Sequence, residues 1–257
     1  MTTASEPRLA WDYTDVAHAY LKRPAYAPDA IDAILRHAAL GRGARACDVG
    51  AGTGKLSLPL LERGLEVVAV EPNDAMRRLG RAQTAHHAAV RWQRGYAEAT
   101  GLPDGSCDAV GFGSSFNVVD TAAAVRESAR ILRPGGWVFC LWNHRRLDDA
   151  LQAAIEDLIR AYVPGFTHGA RRADPSAALR AGSWFGDIRA LEAAVVHVVS
   201  REDFAAAWRS HLTLRRQADD ALEDVLVAID GLLEKHAAPL LRVPYVTRAW
   251  LARKRRR

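Results

Sequence analysis

The sequence predicts an α/β fold: a doubly wound, mostly parallel sheet of seven strands with helices on both faces. Three observations predict it. Apolar segments of strand length alternate with helical patterns between residues 28 and 142, and that order builds a parallel sheet covered on both sides. A glycine-rich turn, Gly50-Ala51-Gly52-Thr53-Gly54, joins the first of these strands to a helix. The second strand, Val67-Val68-Ala69-Val70, runs into Glu71, twenty-one residues after Gly50. Glycines let the backbone turn sharply and let a ligand approach main-chain N–H groups with no Cβ in the way. An acid at that spacing reaches the ribose hydroxyls of a nucleotide-like ligand.

Each element has its own signal. Residues 28–40 carry apolar side chains at 31, 34, 35 and 38, a helical spacing, with Asp29 as the N-cap. Residues 44–49 form the first strand and 54–63 the first core helix, which Gly64 ends. Residues 65–71 form strand two. The next helix, 74–84, is capped by Asn73 or Asp74, and a short strand follows at 89–93. Strand four is 108–112, the helix 121–132 is capped by Asp120 or Thr121, and strand five is 137–142. Beyond it come a helix at 151–162 and loops or short helices over 163–186. Strand six at 193–199, helices at 202–211 and 218–236, and strand seven at 243–251 complete the chain. Ligands bind such sheets at the carboxyl ends of the strands, so the Gly50 turn and the end of strand four at Phe112 face one crevice.

The ligand is narrowed by what the turn lacks. A P-loop requires G-x-x-x-x-G-K-[ST], but only three residues separate Gly50 from Gly54, and Leu56 follows Lys55. An NAD site prefers G-x-G-x-x-G, and here the third glycine comes one residue early. Asp48-Val49-Gly50-Ala51-Gly52-Thr53-Gly54 instead resembles the first motif of class I S-adenosylmethionine (SAM) methyltransferases. Gly95-Tyr96-Ala97-Glu98-Ala99-Thr100-Gly101-Leu102-Pro103 is similar to their adenine-side loop. Arg130-Ile131-Leu132-Arg133-Pro134-Gly135-Gly136 is similar to their loop before strand five. Tyr20-Leu21-Lys22-Arg23-Pro24-Ala25-Tyr26, Leu141-Trp142-Asn143 and Val243-Pro244-Tyr245-Val246-Thr247-Arg248 extend the resemblance from about Tyr20 to Arg253. They resemble a methyltransferase type 11-like, small-molecule subgroup that includes relatives of trans-aconitate methyltransferase.

The resemblance implies a Rossmann-like sheet whose last strand inserts antiparallel beside strand five, under a helical lid and cap. It implies one domain over 1–257: a lid at 1–40, a SAM-binding core at 41–145, a substrate cap with the C-terminal strands at 146–252, and a basic tail at 253–257. It implies SAM as cofactor and S-adenosylhomocysteine (SAH) as product. Gly50, Ala51 and Gly52 would present backbone to the methionine end, and Glu71 would accept from both ribose hydroxyls. Asp48 would orient the glycine turn from behind. Pro72, Asn73 and Met76 would flank the adenine, with Ala97 offering its N–H beside Glu98. Gly113 and Ser114 would lie along the cofactor, and Arg23 would pair with a carboxylate of SAM or of the substrate.

Relatives often read A-F-H-W-x-D after strand four, where this chain has Ser115-Phe116-Asn117-Val118-Val119-Asp120. Asn117 thus stands for a histidine, and an amide orients a substrate but takes no proton at neutral pH. His144, just past strand five, is the leading candidate for a general base, with Tyr20 and Tyr26 as others. Trp11, Phe116, Trp142, Trp184 and Phe185 are candidates to line the acceptor pocket. The expected reaction is methyl transfer to an O, N or C atom of a small molecule, an aromatic or specialised metabolite. The alternative is a SAM-binding protein without methyl transfer, a cyclase or a regulatory binder.

Composition sets the remaining bounds. The 257 residues, 49% hydrophobic, supply ample core for one large domain. No uncharged apolar run reaches membrane-span length, and the first seven residues lack the pattern of a secretory signal. Cys47, Cys107 and Cys140 cannot all pair, and they read as core residues of a cytoplasmic protein. The histidines show no metal-ligand spacing. Arg253, Lys254, Arg255, Arg256 and Arg257 account for the whole formal charge of +5 and read as a solvated tail, with a nucleic-acid partner as the disfavoured alternative. A monomer or homodimer acting on a small molecule is expected.

Overall fold

In a computed structural model, residues 11–169, 173–236 and 238–256 are described. The segment read for a secretory signal and Arg257 lie outside the described residues. The strands are β1 (Arg45–Val49), β2 (Glu66–Val70), β3 (Val90–Gln93), β4 (Cys107–Gly113), β5 (Leu132–Arg145), β6 (Phe185–Ser200) and β7 (Leu240–Lys254). They form one seven-stranded sheet in the order β3-β2-β1-β4-β5-β7-β6. Strands β1 to β5 run parallel, and β7 inserts antiparallel between β5 and β6. This is the Rossmann-like sheet the sequence predicts.

The helices are α1 (Ala17–Tyr20), α2 (Pro28–Ala38), α3 (Ser57–Glu62), α4 (Asp74–Gln83), α5 (Thr121–Ile131), α6 (Ala150–Tyr162), α7 (Ser176–Arg180), α8 (Arg201–Arg209), α9 (Leu212–Ala218) and α10 (Leu222–Glu234). Strand alternation divides the sheet's side chains between two faces. Ala46, Phe139 and Leu141 pack on one face with Ile31 and Ile34 of α2 and Leu60 of α3. Cys47, Val138 and Cys140 pack on the other with Val125 and Ala129 of α5 and Leu179 of α7. A third core joins α6, α8, α9 and α10 to Leu241, Val243 and Tyr245 of β7, which makes the cap.

Several boundaries move from their expected places. Pro28 opens α2 after Ala27, so Asp29 lies in the first turn instead of at the cap. Asn73 and Asp120 are the caps of α4 and α5, accepting from the Met76 and Ala123 N–H groups. Pairing runs much further than hydrophobicity suggests in the last three strands. β5 takes in the Pro134-Gly135-Gly136 segment, and β6 begins at Phe185. The basic tail needs correction. Arg253 and Lys254 belong to β7, and Arg253 Nε, Lys254 Nζ and Arg255 Nε donate to the carbonyls of Gly135, Leu132 and Phe185.

One buried contact ties the N-terminal lid to the sheet. The Ala27 N–H donates to Thr247 Oγ1 at 2.8 Å, and that hydroxyl donates to Asn143 Oδ1 at 2.6 Å. Asn143 Nδ2 then donates to the Ala25 carbonyl at 2.8 Å. Thr247→Val keeps the shape but strands a buried N–H. It is expected to cost about 1–3 kcal/mol in denaturant unfolding, where a change under about 0.3 kcal/mol would contradict the arrangement.

Candidate active site

The site starts from the turn after β1. Gly50 and Gly52 have φ of +66° and +57°, left-handed values that strain any side chain. A Cβ on Gly50 would lie 2.6 Å from Ser115 Cβ, and one on Gly52 would lie 3.3 Å from Met76 Cε. The turn is therefore closed on two sides, by the strand-four loop and by α4. The Gly50 and Ala51 N–H groups both bond the Val70 carbonyl, at 2.9 and 3.1 Å.

Glu71 is 7% exposed, yet it is well satisfied. One carboxylate oxygen accepts the Gly52 N–H at 2.8 Å and the other accepts the Asn73 N–H at 2.8 Å. A carboxylate has about four acceptor positions, so acceptor capacity for two hydroxyls is left. Burial raises its pKa, against the two backbone bonds and Arg77. Asn73 Nδ2 donates to Asp12 Oδ1 and Thr14 Oγ1, both at 2.9 Å, so the described start of the lid lies across this end of the site.

Asp48 lies wholly buried at the base of the turn and accepts from Ser57 Oγ at 2.6 Å. Its Oδ1 has no hydrogen-bond partner among the described residues. Burial pushes its carboxyl up to about 7, offset in part by the Ser57 bond and increased by the Glu71 charge. The folded value thus lies above the usual 3.8, so its stabilising contribution is complete below that pH and is lost as the pH rises through about 7. Asp48→Asn cannot ionise. It is expected to gain stability relative to the parent by about 1 kcal/mol or more between pH 5 and pH 8. Denaturant unfolding at the two values checks this, and a gap that stays constant would contradict it.

Strand β4 delivers the other wall. Ser114 has a φ of +62°, an uncommon conformation for a residue with a side chain, and its Oγ bonds Tyr26 Oη at 2.9 Å. Both line a cavity of about 880 Å³, counting the open space at its mouth, which suits a small molecule. Tyr20, Arg23 and Lys55 line its lid side, and Trp142, Arg145 and Tyr245 its sheet side. Phe204, Trp208 and His211 come from the cap. Lys55 Nζ donates to the carbonyls of Leu21 and Arg23, at 3.1 and 2.7 Å, and burial lowers its pKa to about 8, with Arg23 adding to the shift.

The structure brings Gly52, Glu71, Asn73 and Met76 into contact around the turn that Gly50 and Ala51 begin, while Ser114 lines the cavity beside it. Other candidates fall elsewhere. His144 lines a recess with Arg145, His168, Ala173 and Arg248 instead of the cavity. Phe116 is fully buried edge-on against Phe112, so it is core and meets no substrate. Trp184 lies beside Gly105, Leu132 and Lys254, at the opposite end of the sheet from the crevice, and Phe185 is buried in the core. Asn117 Nδ2 donates to the Ala173 carbonyl at 3.0 Å, outside the cavity wall. Glu98 accepts the Asp120 N–H at 2.9 Å, and Ala97 is buried in the core. Arg23 reaches the cavity, but its Nε and Nη2 donate to Ser210 Oγ and the Ser210 carbonyl, at 2.8 and 2.6 Å. The pattern pointed to none of Lys55, Arg145, Trp208 or His211. Trp208 lies one turn from Phe204, a signal that says only that α8 is buried.

Strand order, the glycine turn after β1 and the carboxylate ending β2 define a Rossmann-like fold, the fold of the solved methyltransferase structures this chain resembles. Residues 47–140 match the family model described as "Methyltransferase domain". An uncharacterized methyltransferase of Mycobacterium tuberculosis is 42% identical over 144 residues, 56% of this chain and 56% of that protein. A ubiquinone/menaquinone biosynthesis C-methyltransferase of Methylobacterium nodulans is 39% identical over 135 residues, 47% of this chain and 53% of that protein. The chain spans about half the length of the curated relatives it matches. A solved structure from Anabaena variabilis, assigned to a methyltransferase of an antibiotic biosynthesis pathway, is similar in fold. It has a TM-score of 0.63 at 22% identity and covers 90% of this chain and 98% of that one.

Proposed function

We propose that this chain transfers the methyl group of SAM to a small molecule held in the cavity between lid, sheet and cap. The observation that carries the proposal is the Glu71 carboxylate, fixed by the Gly52 and Asn73 N–H groups with acceptor capacity left for a ribose diol. The left-handed glycines of the turn, whose N–H groups are taken by Val70 and Glu71, leave their carbonyls to fit a ligand carrying an ammonium group.

When bound, SAM supplies a methyl group on a sulfonium, an electrophile that needs an aligned nucleophile more than it needs a catalyst. Glu71 would hold the ribose, and Gly50 to Gly52 would hold the amino-acid end. Ser114, Tyr26 and Tyr20 shape the opening toward the acceptor. The acceptor atom, O, N or C, forms its bond to the methyl carbon as the carbon–sulfur bond breaks and the electron pair stays on sulfur, giving SAH. A proton released by the acceptor passes to water. His211 is poorly placed to take it, since its Nδ1 accepts the Leu214 N–H at 3.2 Å and its neutral ring then carries the proton on Nε2. Arg23 and Lys55 tie the lid over the opening through Ser210 and the Leu21 and Arg23 carbonyls.

The proposal places residues 1–40 as lid, 41–145 as SAM-binding core and 146–252 as cap and C-terminal strands, in a cytoplasmic enzyme. No helix among the described residues is long and apolar enough to cross a membrane. Mass spectrometry of the protein incubated with methyl-deuterated SAM and a library of aromatic metabolites tests the activity. SAH is expected to form only with some acceptors, each gaining one labelled methyl. Tight SAM binding with no turnover across the library would favour a protein that holds SAM without transferring its methyl.

A further inference from the structure

The sheet ends in two unlike edges. At one, β3 is four residues long and carries Arg91. At the other, β6 runs for sixteen residues. An edge strand turns every second N–H and C=O outward, so folded proteins guard edges with short strands, Lys, Pro, bulges or a covering element. Most of these guards are missing from β6. Its one register shift falls between Phe185 and Ile188, and beyond it the pairing with β7 is unbroken to Ser200. Residues 188–200 contain no Pro, Gly or Lys. Over residues 190–199 the sole acidic or basic side chain besides His197 is Glu192, and Arg248 of β7 pairs with it at 3.2 Å. Among the described residues, no hydrogen bond from outside the β6–β7 ladder reaches the main chain of residues 186–199.

One face of the same strand is apolar and open. Alternation puts Ala194, Val196 and Val198 on one side of the sheet. Val196 and Val198 are 46% and 50% exposed, and Leu240, opposite Ser200 on that side, is 54% exposed. Large exposed hydrophobics scattered singly are ordinary, whereas three gathered at one edge mark a contact surface. No residue of β6 lines the acceptor cavity, so the proposed activity does not use them.

We infer that β6 pairs antiparallel with β6 of a second copy, about a two-fold axis near Val196, and joins two seven-stranded sheets into one. A second copy fits for two reasons. A two-fold axis sets the outward N–H and C=O row against itself, so the edge is its own complement. The antiparallel order also carries the basic ends apart. The end of β7 at Lys254 lies beside the start of β6, and Arg189 stands seven residues before Val196. The two copies' Arg189 are then separated by about 45 Å along the strands. At the axis the Val196 and Val198 side chains of both copies meet as one apolar strip.

Sedimentation velocity of the full chain between about 1 and 100 µM tests the inference, with amide hydrogen exchange read at both ends of the range. A dimer is expected to grow in with concentration, and amides within 190–199 are expected to exchange more slowly as it does. Val196→Lys combined with Val198→Lys gathers four ammonium groups at the axis and is expected to weaken the dimer at least about tenfold. Both side chains are exposed, so its unfolding midpoint should stay near that of the parent. Val227→Lys is the control. Val227 is 67% exposed on α10, outside the pairing, and this variant should dimerise as the parent does. A parent that stays monomeric up to about 100 µM would overturn the inference and leave the edge to a strand of another protein. A dimer whose 190–199 amides exchange at the monomer's rate would overturn it as well, and this measurement on the parent decides the matter should the double variant fail to fold. So would a dimer that the folded double variant leaves intact, or one that Val227→Lys weakens equally.

Discussion

Glu71→Ala weakens binding of both SAM and SAH by at least about a hundredfold, an expected result that follows from what the carboxylate would do. Two hydrogen bonds from ribose hydroxyls to a charged acceptor are worth about 1.5–3 kcal/mol each, or roughly 10² to 10⁴ together. The substitution also releases the Gly52 and Asn73 N–H groups, each held at 2.8 Å, so the turn loses its brace along with the ligand contact. Glu71→Gln separates the two effects. It keeps one acceptor oxygen for the brace and loses the charge, and should bind better than the alanine variant. Calorimetry on both, with unfolding midpoints as a check of the folded state, measures this. A loss of less than about threefold for Glu71→Ala would remove the ribose from this position.

Gly50→Ala has the largest expected effect on the fold at the site. The new Cβ meets Ser115 Cβ at 2.6 Å, and Ser115 is held by its own bond to the Val49 carbonyl at 2.5 Å. A left-handed alanine costs about 1–2 kcal/mol and overpacking about 1–3 kcal/mol more. A midpoint drop of about 5–15 °C is expected for a chain of this size, with SAH binding lost. Gly231→Ala is the control. Gly231 lies inside α10 with nothing within 4 Å of its Cβ position, so alanine there should be neutral or slightly stabilising. Similar midpoints for the two variants would contradict the packing described at the turn.

The turn after β1 and the carboxylate ending β2 were the more legible half of the candidate site, for a physical reason. Gly50, Gly52 and Glu71 act through backbone geometry and one carboxylate, and both leave a fixed spacing in the chain. The strand pattern located β1, β2 and β4 because buried parallel strands are continuous apolar runs. It shortened β6 because that strand lies at the sheet edge, where Arg189, Glu192 and Val196 alternate with half-buried neighbours. The acceptor half depends on contacts between distant segments. His144 and Arg145 are adjacent in sequence and share one recess, yet of the two Arg145 lines the cavity. Only the cap, through Glu156 and Trp208, makes Arg145 a feature of the cavity. Phe116 and Trp184 look alike as exposed-loop aromatics in the sequence. Packing places one in the core and the other at the far end of the sheet.

The most direct test of the account is a crystal structure of the full chain grown with SAH. The account predicts the ribose diol on the Glu71 carboxylate, the amino-acid end over Gly50 to Gly52, and the sulfur facing the cavity walled by Tyr26 and Ser114. SAH bound elsewhere, or a folded protein that takes up none at millimolar concentration, would contradict it.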